Sequence, residues 1–95
     1  MFARVTSFEI PPERIDQGIQ AAQEVADAAA LIPGYKSGYW TIDRATGRGV
    51  SFTIWETEDE LRASEERARE LRTMAAGSAG LDITGIEIFE VVASN

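Results

Sequence analysis

Segments of two-residue hydrophobic period alternate with segments of helical period along this chain, and their order limits the fold more than any other feature. Phe2 to Ile10 puts Phe2, Arg4, Thr6, Phe8 and Ile10 on one face and Ala3, Val5, Ser7 and Glu9 on the other, the signature of a strand. Pro11 and Pro12 stop it, because proline cannot donate to a ladder and its fixed φ suits the first turn of a helix. Ile15, Ile19, Ala22, Ala26 and Ala29 then recur at helical spacing, an amphipathic helix with a slim, alanine-rich seam. Pro33-Gly34 ends that helix.

Tyr35 to Asp43 and Arg48 to Glu56 read as a hairpin around the turn-forming run Asp43-Arg44-Ala45-Thr46-Gly47. An even loop places Tyr39 with Val50, Phe52 and Ile54 on one face, and Trp40, Ile42 and Trp55 on the other. An odd loop exchanges the partnerships, and both registers are open at this level. Thr57-Glu58-Asp59-Glu60 is a capping box, in which the Thr57 hydroxyl accepts from the amide of residue 60 and the Glu60 carboxylate reaches back to the amide of residue 57. The second helix starts there. Its expected buried stripe is Leu61, Ala68, Leu71 and Ala75, with Ser64 and Met74 at the edges, and Glu58/Arg62 and Glu65/Arg69 form i,i+4 pairs on its wet side. Ala76-Gly77-Ser78-Ala79-Gly80 is the expected stop, and Asp82 to Ala93 the last strand.

The order β-α-β-β-α-β predicts an α+β fold of ferredoxin-like βαββαβ type, a four-stranded antiparallel sheet with two helices on one face, as a single domain over residues 1–95. Several strands carry apolar or aromatic groups on both faces, whereas a sheet with one solvated face would show polar residues there. A second copy of the same sheet is the simplest cover, so a homodimer is expected.

The chain has neither cysteine nor histidine. That removes disulfides, thiol nucleophiles, a Ser-His-Asp triad, most zinc sites and the usual proximal haem ligand. No metal or other cofactor is expected. A net charge of −7 argues against nucleic acid as a partner, since phosphate binding is built from Lys and Arg. The longest apolar stretch, Ala26 to Ile32, is too short to span a bilayer, and the N-terminal residues lack the pattern of a signal peptide. A cytoplasmic protein with no membrane partner is the expectation.

Phe2-Ala3-Arg4-Val5-Thr6 at the start, Ile32-Pro33-Gly34-Tyr35 after the first helix, and Phe52-Thr53-Ile54-Trp55-Glu56-Thr57-Glu58 before the second resemble the antibiotic biosynthesis monooxygenase group of the dimeric α+β barrel superfamily. The resemblance covers nearly the whole chain. It implies a homodimer with facing sheets and, in each subunit, a pocket between sheet and helices. Members of that group range from cofactor-free oxygenases acting on polycyclic aromatics to haem-degrading enzymes, and fold kinship does not transfer a reaction. The haem-degrading ligand set is not matched. Met74 stands about where that group's histidine falls and Ser64 about where its tryptophan falls, and the first strand has no asparagine.

The candidate pocket or binding residues are Arg4, Tyr39, Trp40, Phe52, Trp55 and Met74. Each has a plainer alternative. A strand tryptophan such as Trp55 is ordinarily a core or interface residue, and Trp40 and Tyr39 are read alike. Arg4 either binds an anionic substrate or pairs with Glu9 or Glu87 at the interface rim. Met74 is read first as plain packing. The acids Glu56, Glu58, Asp59 and Glu60 serve capping and the helix dipole ahead of any cation. No catalytic residue is identifiable, the available bases being carboxylates such as Glu87 or Glu9 whose pKa burial would have to raise. Two functions remain: a small-molecule-binding protein resembling cofactor-free monooxygenases and acting on an apolar or aromatic substrate, or a non-catalytic homodimeric interaction module. A pocket of a few hundred cubic ångströms with convergent polar groups favours the first, and a packed interior the second.

Overall fold

A computed structural model describes residues 1–95. Its strands are β1 (Phe2–Glu9), β2 (Tyr35–Ile42), β3 (Arg48–Trp55) and β4 (Asp82–Glu90), and its helices are α1 (Ile15–Ala29), α2 (Glu58–Ala63) and α3 (Glu65–Ala79), with a short 3-10 turn at Pro12–Arg14. The strands form one antiparallel sheet in the order β2-β3-β1-β4, the ferredoxin-like arrangement. No helix is long and apolar enough to cross a membrane.

The hairpin takes the even register. Ile42 pairs with Gly49, so Tyr39 lies opposite Phe52 and Trp40 opposite Ser51. Local chemistry sets this turn: the Asp43 carboxylate accepts from the amide of Ala45 at 2.9 Å, and Gly47 donates to the Asp43 carbonyl at 2.8 Å. Gly47 has φ +80°, and a Cβ there would stand 1.9 Å from the Ile10 carbonyl oxygen, so no side chain fits. Phe2, Arg4, Thr6 and Phe8 of β1 pair with Trp55, Thr53, Ser51 and Gly49 of β3, and this face lies under the helices.

Four expectations need correction. The second helix is interrupted at Ser64, which caps the end of α2 and precedes α3. It also runs through Gly77 and stops only at Gly80, whose φ of +68° is the left-handed cap that glycine adopts most easily. The last strand ends at Glu90 instead of Ala93. The Thr57 hydroxyl accepts from the Glu60 amide at 3.1 Å as expected, but the Glu60 carboxylate takes its bond from the Thr57 hydroxyl and not from the backbone.

The core is uneven. Trp55, Leu61 and Ser64 are the largest fully buried side chains, at the end of the sheet covered by α2 and α3. Phe8, Ile10 and Ile15 form a second small cluster. Helix α1 meets α3 through Ala21, Ala75 and Ala79, side chains small enough for close helix approach. Of the seam expected to be buried, Ile15 and Ala29 are, whereas Ile19 is 37% exposed and Ala22 and Ala26 are only half-buried. Ala21 is the buried α1 residue turned toward α3, whereas Gly18 faces Ile10, whose side chain leaves no room there for a Cβ. The alanine seam therefore overhangs the sheet without filling the space beneath.

Candidate functional site

That unfilled space is a cavity of about 410 Å³ between α1, α3 and the helix-covered face of the sheet, within the range of small-molecule sites. Alanine side chains at positions 22, 26 and 29 are too short to reach across, and β1 and β3 place short Thr6, Ser51 and Thr53 side chains opposite them. Bulky walls stand around this floor: Phe8, Ile42 and Ile83 toward one end, Tyr35, Trp40 and Trp55 toward the other. Most of the lining is apolar.

The polar groups gather at the Trp55 end. Trp55 is 1% exposed and donates its indole N–H to the Thr53 hydroxyl at 3.0 Å. Tyr35 packs edge-on against it, with ring centroids 5.6 Å apart and planes at 85°. The Arg4 guanidinium carbon lies 5.6 Å from the Trp55 ring centroid, a cation–π distance. Arg4 is 4% exposed. Its Nη2 donates to the Leu61 carbonyl and the Ser64 hydroxyl, both at 3.0 Å, and lies 3.0 Å from the Glu65 carboxylate. Burial lowers the Arg4 pKa, opposed by the Glu65 charge and reinforced by Arg72. Burial likewise raises the pKa of the Tyr35 phenol.

The break in the second helix makes this arrangement possible. The Ser64 amide is shared between the Glu60 carbonyl at 3.0 Å, the α-helical spacing, and the Leu61 carbonyl at 3.2 Å, a three-residue spacing, and its hydroxyl donates to the Leu61 oxygen as well. The carbonyl so displaced from the α-helical ladder is the one that Arg4 grips. Glu65, the first residue of α3, bonds Arg4 and Arg72 and not the expected Arg69. Arg4 thus has neither Glu9 nor Glu87 as its partner. Glu58 and Arg62 do pair, at 2.7 Å.

Of the six candidate residues, Arg4, Trp40 and Trp55 meet along the cavity, and Tyr39, 73% exposed, reaches only its rim. Phe52 does not belong to it: the register puts Phe52 beside Val5 and Tyr39 on the open face of the sheet. Met74 is also outside the lining and 56% exposed, since it falls on the solvent side of α3. With Ser64 holding Arg4 and Met74 facing solvent, these residues do not fit a haem, and no group of His, Cys, Asp or Glu residues converges to hold a metal ion. Glu9 is exposed at the end of β1 and Glu87 lies opposite Val5, so neither carboxylate lines the cavity. Sequence reasoning missed Tyr35, Thr6, Ser51, Thr53 and Arg72. The strand alternation held a signal for Thr6, Ser51 and Thr53, small polar residues on the face that also carries Phe8 and Trp55.

No protein-family model matches the chain. An uncharacterized protein of Mycobacterium tuberculosis is 35% identical over 77 residues, which cover 80% of this chain and 33% of that protein. A second uncharacterized protein of the same organism is 29% identical over 94 residues, covering 98% of this chain and 42% of that protein. The chain thus spans only about a third to two fifths of the length of the curated relatives it matches. Among solved structures, a Deinococcus radiodurans protein of the antibiotic biosynthesis monooxygenase type superposes with a TM-score of 0.79 at 13% identity, over 100% of this chain and 96% of that one. SnoaB, a cofactor-independent oxygenase from Streptomyces nogalater, superposes with a TM-score of 0.76 at 14% identity, over 98% and 94%. The chain has the fold of the antibiotic biosynthesis monooxygenase-like proteins.

Proposed function

We propose that this chain is a member of that group which binds a small, flat, largely apolar molecule in the cavity between α1 and the sheet, and that it works as a cytoplasmic homodimer joined through the open sheet faces. The observation that carries the binding reading is the cavity itself. A module that had kept only the barrel would gain stability by closing this cleft of about 410 Å³ with larger side chains, because they would bury more apolar surface. Self-association is supported by the open face, where Tyr39, Phe52 and Phe89 are 73%, 41% and 49% exposed beside half-buried Val5, Val50 and Ile54. Contiguous apolar surface of this kind marks an interaction site.

Binding is better supported than any one reaction. The ionisable side chains along the cavity are Arg4, Arg72, Tyr35 and, at the rim, Tyr39. None is a base at neutral pH, and burial moves the Tyr35 phenol further from being one. Cofactor-free oxygenation, the activity in SnoaB's name, is therefore a second reading restricted to molecules that ionise without enzymatic help. For the binding reading the test is titration with neutral 2-naphthamide, followed by quenching of Trp40 and Trp55 emission. One saturable site per chain, lost in Ala22→Trp and Ala26→Phe, is expected. No saturation, or saturation unchanged in both filled variants, would sink it.

A further inference from the structure

The charged residues at the cavity contrast with the composition of the chain. Acids outnumber bases by sixteen to nine, yet no Asp or Glu lines the cavity, while Arg4 and Arg72 do. One carboxylate, Glu65, lies between the two guanidiniums and bonds both. Two positive charges and one negative leave this cluster with one uncompensated positive charge. It is held where screening is weak, the Arg4 and Arg72 side chains being only 4% and 15% exposed. Leu61 and Ser64 add neutral acceptors and leave the charge as it is. The three contacts of Arg4 all fall on Nη2, and its Nε is buried with no acceptor at all. An unmet buried donor on a charged group is costly, and the fold offers nothing to relieve it.

We infer that the Arg4–Glu65–Arg72 cluster anchors a monoanionic group of the ligand, so that the molecule bound in the cavity is a small aromatic or apolar acid, carboxylate or phenolate, with its charged end toward Trp55 and its apolar body under the α1 alanines. This rests on the cavity reading given above and narrows its ligand class. A monoanion neutralises the excess charge of the cluster. Guanidinium is also the cation best matched to a carboxylate, through charge-assisted and often paired hydrogen bonds. The remaining lining suits such a molecule: Thr6 and Ser51 place short hydroxyl side chains on the cavity floor, no acid lines the cavity, and the one carboxylate beside the anchor, Glu65, is already shared between the two guanidiniums. The same cluster disfavours cationic ligands.

The experiment compares 2-naphthoate with 2-naphthamide, equal in shape and different in charge, by tryptophan quenching and by calorimetry at pH 7. The wild-type chain is expected to bind the acid at least tenfold more tightly. Arg72→Gln should reduce that preference to threefold or less, and Arg72→Lys should keep most of it. If Arg72→Gln proves unfolded by circular dichroism, the wild-type pair and Arg72→Lys still decide the matter. Equal affinity for acid and amide would overturn the anion anchor while leaving the cavity reading intact. Binding of neither probe would overturn the cavity reading and the anchor with it. A tenfold preference that survives Arg72→Gln unchanged would overturn the assignment to this cluster.

Discussion

In the middle of the helix-covered face of the sheet, between Phe8 and Trp55, the two central strands present Arg4, Thr6, Ser51 and Thr53, while on the open face the same strands present Val5, Val50, Phe52 and Ile54. Burial alone would suggest the reverse distribution. The covered face can be polar because a cavity separates it from α1, so its short side chains border space instead of packed hydrocarbon. The open face is apolar although no helix covers it. What the contrast teaches is that the covered side of this sheet is organised as a chamber, and that the side resembling a protein core has no cover within the chain. Phe52 and Trp55, three residues apart on β3, stand on the two sides of that division.

The strongest way to break the comparison is at Trp55. Truncation to alanine removes the ring that holds Tyr35, Arg4 and Thr53 together, and the expected loss in urea melts is about 3 kcal/mol or more, as for large buried aromatics. A loss of a few tenths would mean that Trp55 is a dispensable wall. Phe52→Glu probes the other face. Placing a carboxylate in the apolar contact proposed between copies should raise the dissociation constant of the proposed homodimer at least a hundredfold, about 2.7 kcal/mol. Sedimentation equilibrium reads this directly, and a wild-type chain that is monomeric at micromolar concentration would refute the facing-sheet dimer. Thr53→Val preserves shape and strands the Trp55 indole N–H, which should cost about 1 to 2 kcal/mol. An unchanged melting profile there would show that the polar groups of the chamber are not held by the fold.

The smallest effect concerns pH. Burial raises the folded-state pKa of Tyr35 above its unfolded value, so its contribution to stability is complete below pH 10 and is lost as pH rises through the folded pKa. Urea midpoints measured from pH 9 to 11.5 should therefore fall less steeply in Tyr35→Phe than in the wild-type chain. Equal slopes would place the Tyr35 phenol in water.

Much of the architecture was legible in the chain because it depends on local physics. Period-two and helical patterns, Pro11-Pro12, the Asp43–Gly47 turn and the Thr57 cap each act within a few residues, and the structure keeps them with shifts at the ends of elements. The helix stops at Gly80, the last residue of the expected run, because Gly77 is tolerated on an exposed helix face and does not by itself end a helix. The candidate site was legible only in part. Trp55, Trp40 and Arg4 stood out as bulky or charged strand residues, yet strand alternation labels two faces without saying which of them the helices cover. Phe52 was therefore kept among the cavity candidates, although the even register sets it with Tyr39, Val50 and Ile54 on the open face.

Three things were decided by tertiary structure alone. The cavity exists because Ala21 holds α1 against α3 while the residues that α1 turns toward the sheet, Ala22, Ala26 and Ala29, are too short to reach its floor, a consequence of how two helices pack and not of either helix's period. Arg4 finds Leu61, Ser64 and Glu65 about sixty residues away, where a one-residue helix break frees a carbonyl that no local pattern announces. Glu65 then leaves its sequence neighbour Arg69 for Arg72 and Arg4, because pairing a buried guanidinium relieves more than pairing an exposed one. The residue periods determine which elements form. Where their faces meet, and what space is left between them, depends on the shapes of side chains far apart in the chain.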